Sequence, residues 1–201
     1  MGTVRRAFAA GLVVAGVLAA VPAWPAGDGP PPEAPGLPAP LSEEFVRGIF
    51  PVPDGVQVYS AECEDGDVWP GAFTVVAGAL ASKFGPGAAV FLCDPVLRDE
   101  RLARFVLAHE VGHIVLGHGT AADLSVAVRQ EVEADLYAAE RTGPAEAAAG
   151  CRFLAGALAG LRRSDEGRAL GVILARRLSA IAGWLAGHGA DPAACIPRGL
   201  E

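Results

Sequence analysis

His109-Glu110-Val111-Gly112-His113-Ile114-Val115-Leu116-Gly117-His118 is the stretch on which the reading of this chain turns. Its first five residues form H-E-x-x-H. Leu102, Phe105, Val106, His109, His113 and Leu116 recur at steps of three and four, the period of a helix with one apolar stripe. Two imidazoles four residues apart share a helix face, where both reach a single metal ion. The glutamate beside the first can then act on a water held by that ion. Asp99 reads as the N-cap, Glu100 as an acid in the first turn, and Gly117 as the helix end. On a continuing helix His118 would lie about 140° around from His113 and about 180° from His109, so it points away from their metal. The alternative spacing H-E-x-x-H-x-x-G-x-x-H fails too, because Leu116 and Gly119 stand where Gly and His would be needed. His118 is therefore expected to cap carbonyls or pack at the helix end.

A third ligand has to come from elsewhere, and the next helix offers one. It is expected from about Thr120, in capping-box form with Asp123, to Arg141, where Gly143-Pro144 stops it. Glu131 and Asp135 are four apart and share a stripe with Leu124 and Val128, which turns that face inward. One carboxylate can ligate while the other bonds the free nitrogen of a ligating histidine. Glu133 lies about 200° from Glu131 and, like Glu140, is expected in solvent. A third helix is expected from Pro144 to about Leu161, and a fourth from Ser164 to about Leu185. The inner stripe of the fourth is Leu170, Leu174, Leu178, Ile181 and Leu185.

Upstream the texture changes. Leu41 to Phe50 reads as a short helix capped by Ser42. Val56-Gln57-Val58-Tyr59, Phe73 to Ala77 and Ala88 to Cys93 are β-prone runs bounded by turn residues. They predict a small, mostly antiparallel sheet ahead of the helices, hence an α+β domain over residues 42–201. Residues 24–41 are proline-rich and expected to form an extended linker.

Composition limits the partners and the compartment. A formal net charge of −7 argues against nucleic acid or an anionic membrane as the main partner. Arg5 and Arg6 precede an apolar run from Ala7 to Val21 and then Pro22-Ala23, the pattern of a secretory signal cleaved after Ala23. An uncleaved N-terminal anchor is the other reading of that run. The chain is thus expected to be exported, periplasmic or extracellular, with no span in the mature part. The most apolar later stretch, Ala169 to Gly187, carries Arg176 and Arg177 at its centre. In such a compartment the four cysteines are expected as Cys63–Cys93 and Cys151–Cys195.

HEVGHIVLGH followed by EVEADLYAAERTG resembles the M48 group of gluzincin metallopeptidases, with its paired H-E-x-G-H and E-x-E-A-D motifs. The likeness covers about residues 84–143. It implies a zincin-like domain and one Zn²⁺ per chain held by His109, His113 and Glu131. It also implies Glu110 as general base and Asp135 orienting His109. GPGAAVFLCDPVL resembles the family's strand before the active-site helix, which implies that Ala88, Ala89, Val90, Phe91 and Leu92 offer an edge to an extended protein or peptide substrate. The family's downstream active-site residue cannot be placed, since no His-Pro pair precedes Arg177-Leu178. Tyr137, His188, Arg176 and Arg177 are candidates, unranked, to stabilise an oxyanion. A second zincin group, resembling antitoxin- or repressor-cleaving peptidases, shares the first motif only. The competing class is non-enzymatic, a zinc-stabilised binding or chaperone-like module of the cell envelope.

Overall fold

The computed structural model describes residues 40–61, 72–75, 88–119, 121–160 and 165–196. The expected signal segment, most of the linker, Thr120 and Cys63 lie outside the described residues. Helix α1 spans Glu43–Ile49; the Ser42 hydroxyl accepts from the Phe45 N–H at 3.2 Å and so caps it. Strands β1 (Val56–Ala61), β2 (Ala72–Val75) and β3 (Ala88–Cys93) form one sheet in the order β1-β3-β2. β1 runs parallel to β3 in the register Val56↔Ala88, and β2 runs antiparallel in the register Ala72↔Leu92. The sheet is therefore mixed, which corrects the mostly antiparallel expectation. Strand signals carry no direction, and the long connection from Ala61 to Ala88, which contains β2, permits the crossover a parallel pair requires.

Alternation along the strands divides the sheet's faces. Val58, Val90 and Leu92 enter the main core, while Tyr59 stacks on Phe91 with centroids 5.0 Å apart on the other face, beside Ala89. β3 lies in the middle of the sheet, with a partner along each side. Ala89, Val90, Phe91 and Leu92, within the stretch expected to receive a substrate, thus have a strand along each side, and Ala88 pairs with Val56.

After a short helix α2 (Asp94–Leu97) the chain enters α3 (Glu100–Val115), whose first turn is closed by the Asp99 carboxylate on the N–H groups of Arg101 and Leu102. From Phe105 to Gly112 every residue of α3 is buried, so this helix is surrounded rather than amphipathic. Helices α4 (Leu124–Thr142) and α5 (Pro144–Gly160) pack against it and each other, and α6 (Asp165–Gly187) packs against α4 and α5. α4 starts four residues later than expected, because Asp123 serves as its N-cap, accepting from Ser125 and Val126. Its first turn is exposed at Leu124, and the inward stripe runs through Ala127, Ala134, Asp135 and Ala138. α6 is long and apolar enough to cross a membrane by length and composition. Leu170, Leu174, Leu178, Ile181 and Leu185 are nonetheless all buried in the core, as their spacing predicts.

A 3-10 turn at Pro192–Cys195 ends the described chain, and Cys195 is bonded to Cys151 of α5 with 4.6 Å between Cα atoms. That pair was expected. Cys93 is disulfide-bonded as well, while the Cys63 end of its expected pair lies outside the described residues.

Candidate metal centre

Close approach of α3 and α4 is the precondition for the site, and Gly112 permits it. A Cβ at this position would stand 3.1 Å from Tyr137 Cδ1 and 3.3 Å from the Ala134 Cα. With none there, Glu131 reaches the two histidines. His109 Nε2 and His113 Nε2 are 3.1 Å apart. Glu131 Oε2 lies 3.4 Å from His109 Nε2, and Oε1 lies 3.6 Å from His113 Nε2. A tetrahedral ion with bonds of about 2.0–2.1 Å spaces its donors roughly 3.3 Å apart. The three residues can hold one metal ion: their ligand atoms all lie within 4.8 Å of one another.

Behind these donors sits a buried ionic layer. The Asp135 carboxylate, fully buried, lies 2.9 Å from His109 Nδ1, which leaves Nε2 of that ring for a metal. Arg177 from α6 donates to both oxygens of Asp135, Nε to Oδ2 and Nη2 to Oδ1, each at 2.8 Å. Its Nη1 pairs with Glu131 Oε2 at 2.8 Å, and Nη2 lies 3.4 Å from His109 Nδ1. One guanidinium thus holds the Glu131 and Asp135 carboxylates together. Glu110 is buried one residue beyond His109, and its charge acts on Arg177 too.

Burial and neighbouring charge act in opposite directions here. Burial and Arg177 push His109 down, but Asp135 and Glu131 override them and hold it up at about 9. For His113, burial and the adjacent His109 prevail and bring it down to about 3. Burial pushes Glu131 and Asp135 up, and Arg177 with the histidines reverses this, leaving both well below the usual carboxylate range. Burial alone would lower Arg177, yet the Asp135 and Glu131 carboxylates raise it further above its ordinary value. With neutral imidazoles, the carboxylates of Glu110, Glu131 and Asp135 outweigh this single guanidinium. A divalent cation would balance the excess.

His118 is where the helical extrapolation misleads. Gly117 adopts φ 67°, in the left-handed region, so the helix stops and the chain reverses. The His118 N–H donates to the His113 carbonyl at 2.9 Å and the Gly117 N–H to the Ile114 carbonyl at 3.2 Å. The main chain therefore does the capping. The His118 ring is carried back onto His113, with Nδ1 to Nδ1 at 3.0 Å, while His118 Nε2 meets Glu133 Oε2 at 3.0 Å. Glu133, expected in solvent, is half-exposed and engaged.

Of the four oxyanion candidates only Arg177 is at the site, and its donors are taken up by Asp135 and Glu131. Arg176 is exposed. His188 stacks on Trp184 beyond the end of α6, with centroids 4.0 Å apart. Tyr137 lies under Arg141 and lines a cavity of about 460 Å³ with Phe50, Arg104 and Val111. The signal for Arg177 was present in the sequence: it falls at core spacing among Leu170, Leu174 and Ile181.

Compared with family models, curated proteins and solved structures, the chain matches none.

Proposed function

We propose that this chain is a zinc-dependent endopeptidase of the gluzincin kind, exported from the cell. The observation that carries the reading is the convergence of His109 Nε2, His113 Nε2 and Glu131 at donor spacings suited to one tetrahedral ion. The identity of the metal rests on this donor set, two imidazoles and a carboxylate, which is the kind zinc hydrolases use. Zinc bound there would supply an acidified water and polarise the scissile carbonyl.

The protein's own residues supply the rest. Glu110, buried beside His109, takes the proton of the attacking water and delivers it to the departing amine. Asp135 holds the His109 ring with Nε2 outward, and Arg177 holds Asp135 and Glu131 in register. An extended peptide would add to a sheet edge. The outer side of β2, which packs against α3 and has no strand beside it among the described residues, takes the role first expected of β3. Export is supported by the Cys151–Cys195 bond and by the lack of free cysteines among the described residues.

The test is Glu110→Gln in the full chain. It should retain one zinc per chain and lose casein or peptide hydrolysis by about 10²–10⁴-fold, the range a general base carries. Hydrolysis at the wild-type rate in that variant would end the proposal. A wild-type chain that binds zinc and turns over no peptide in a broad library would favour a zinc-stabilised binding module instead.

A further inference from the structure

The two metal-facing histidines are supported unequally. His109 has a carboxylate directly on Nδ1, that of Asp135. His113 has an imidazole there, that of His118, and only behind it a carboxylate, that of Glu133. We infer that His118 and Glu133 form an orienting relay for His113, two positioning residues that set its tautomer and ring direction for the metal. The inference rests on the metal-site reading above.

Proton placement along the relay has one solution. His113 Nε2 faces His109 Nε2 across 3.1 Å, so a cation there requires a lone pair on each. The proton of His113 is then on Nδ1, and the 3.0 Å contact with His118 Nδ1 is a bond that His113 donates. His118, accepting through Nδ1, carries its own proton on Nε2 and donates it to Glu133 Oε2. Every donor meets an acceptor, and the negative end of the chain is a carboxylate, as it is for His109. The ring planes stand 71° apart with centroids 5.0 Å apart, so the contact between the two rings is not a stack. Burial agrees. The His118 side chain is 7% exposed although its backbone lies in a surface turn, so the turn at Gly117 delivers this ring inward.

The experiment measures zinc and cobalt affinity of the full chain by competition with a chromophoric chelator, together with the visible spectrum of the cobalt form. His118→Leu keeps bulk and removes both bonds; it should weaken metal binding by about 10–100-fold, the range outer partners of ligating histidines carry. His118→Gln, whose amide can accept from one side and donate to the other, should recover most of that loss. Glu133→Ala, at a half-exposed helix position, should weaken binding by about 10-fold, the lower end of that range. In a His118→Leu background it should add nothing, because the two residues act in series. Wild-type affinity and an unchanged cobalt spectrum in both His118→Leu and Glu133→Ala would overturn the relay. So would additive losses in the double variant, which would indicate two independent packing defects. A wild-type chain that takes up neither metal would instead overturn the site reading, and the relay with it.

Discussion

At the scale of single residues, Arg177 bears the most consequence. It is a buried cation whose Nε and two Nη nitrogens are all committed to carboxylates, and it comes from a helix that contributes nothing else to the donor set. Removing one partner of a buried ionic group leaves the others desolvated and unpaired, at a cost of about 3–5 kcal/mol. Arg177→Met should therefore lose roughly that much in urea unfolding with chelator present. The loss should shrink when zinc is added, because a divalent cation compensates Glu131 and, through His109, the charge on Asp135. Equal losses with and without zinc would show that Arg177 supports the helices alone and not the site. Arg176, its exposed neighbour, is the control, and Arg176→Met should stay within about 0.5 kcal/mol of wild type.

At the scale of elements, two glycines set where helices meet, and they separate stability from metal binding. A Cβ at Gly150 of α5 would overlap the Phe105 ring, which is 2% exposed and held in the core. Gly150→Ala should cost about 1–3 kcal/mol by overpacking, with metal affinity little changed, as judged by denaturation and zinc competition. Gly112→Ala should do the reverse. Its Cβ would meet Tyr137 and Ala134 at distances that a few tenths of an ångström relieve, but that relief moves α4, and Glu131 with it, away from the histidines. A zinc affinity for Gly112→Ala equal to that of Gly150→Ala would refute this division. The elements themselves were largely legible in the sequence. Ser42 and Asp99 cap as expected, α5 falls where it was expected, α6 buries its predicted apolar stripe, and Glu131 and Asp135 share the face their spacing requires. What was not legible depends on chain reversals and partners. A helical wheel points the His118 ring away from His113 because it assumes that the helix continues; one left-handed glycine carries the ring back onto His113 Nδ1, while the donor group remains His109, His113 and Glu131. Strand direction failed for a similar reason: β-propensity fixes the faces of β3, whereas its parallel neighbour is decided by the path of a long connection. The inward position of Arg177 was legible from its spacing, but its partners were not, since no local pattern ties a residue on the last helix to a motif on α3 and α4.

At the scale of the whole molecule, one covalent link bears on how the site is held. Cys151 and Cys195 close a loop with a sequence separation of 44, and all of α6 lies inside it. The 3-10 turn carrying Cys195 packs against both α5 and α6, so the bond pins the far end of α6 to the helix beside it. α6 in turn presents Arg177 to α3 and α4 from within this closed loop. Chain entropy for a loop of this length predicts a stabilisation of about 4 kcal/mol, within a measured range of roughly 2–5 for natural bonds. A Cys151→Ala/Cys195→Ala chain should accordingly unfold at lower denaturant by about 2–4 kcal/mol. If the bond also restrains the seat of Arg177, amide exchange from Ile173 to Leu185 should accelerate more than exchange in α3, whose core is built from other contacts. Zinc affinity should then shift by less than it does in Arg177→Met, since the arginine is present but less firmly held. An unchanged unfolding midpoint would remove the stabilising role. Uniform acceleration across α3 and α6 would show that the bond stabilises the fold as a whole without any particular hold on the metal centre.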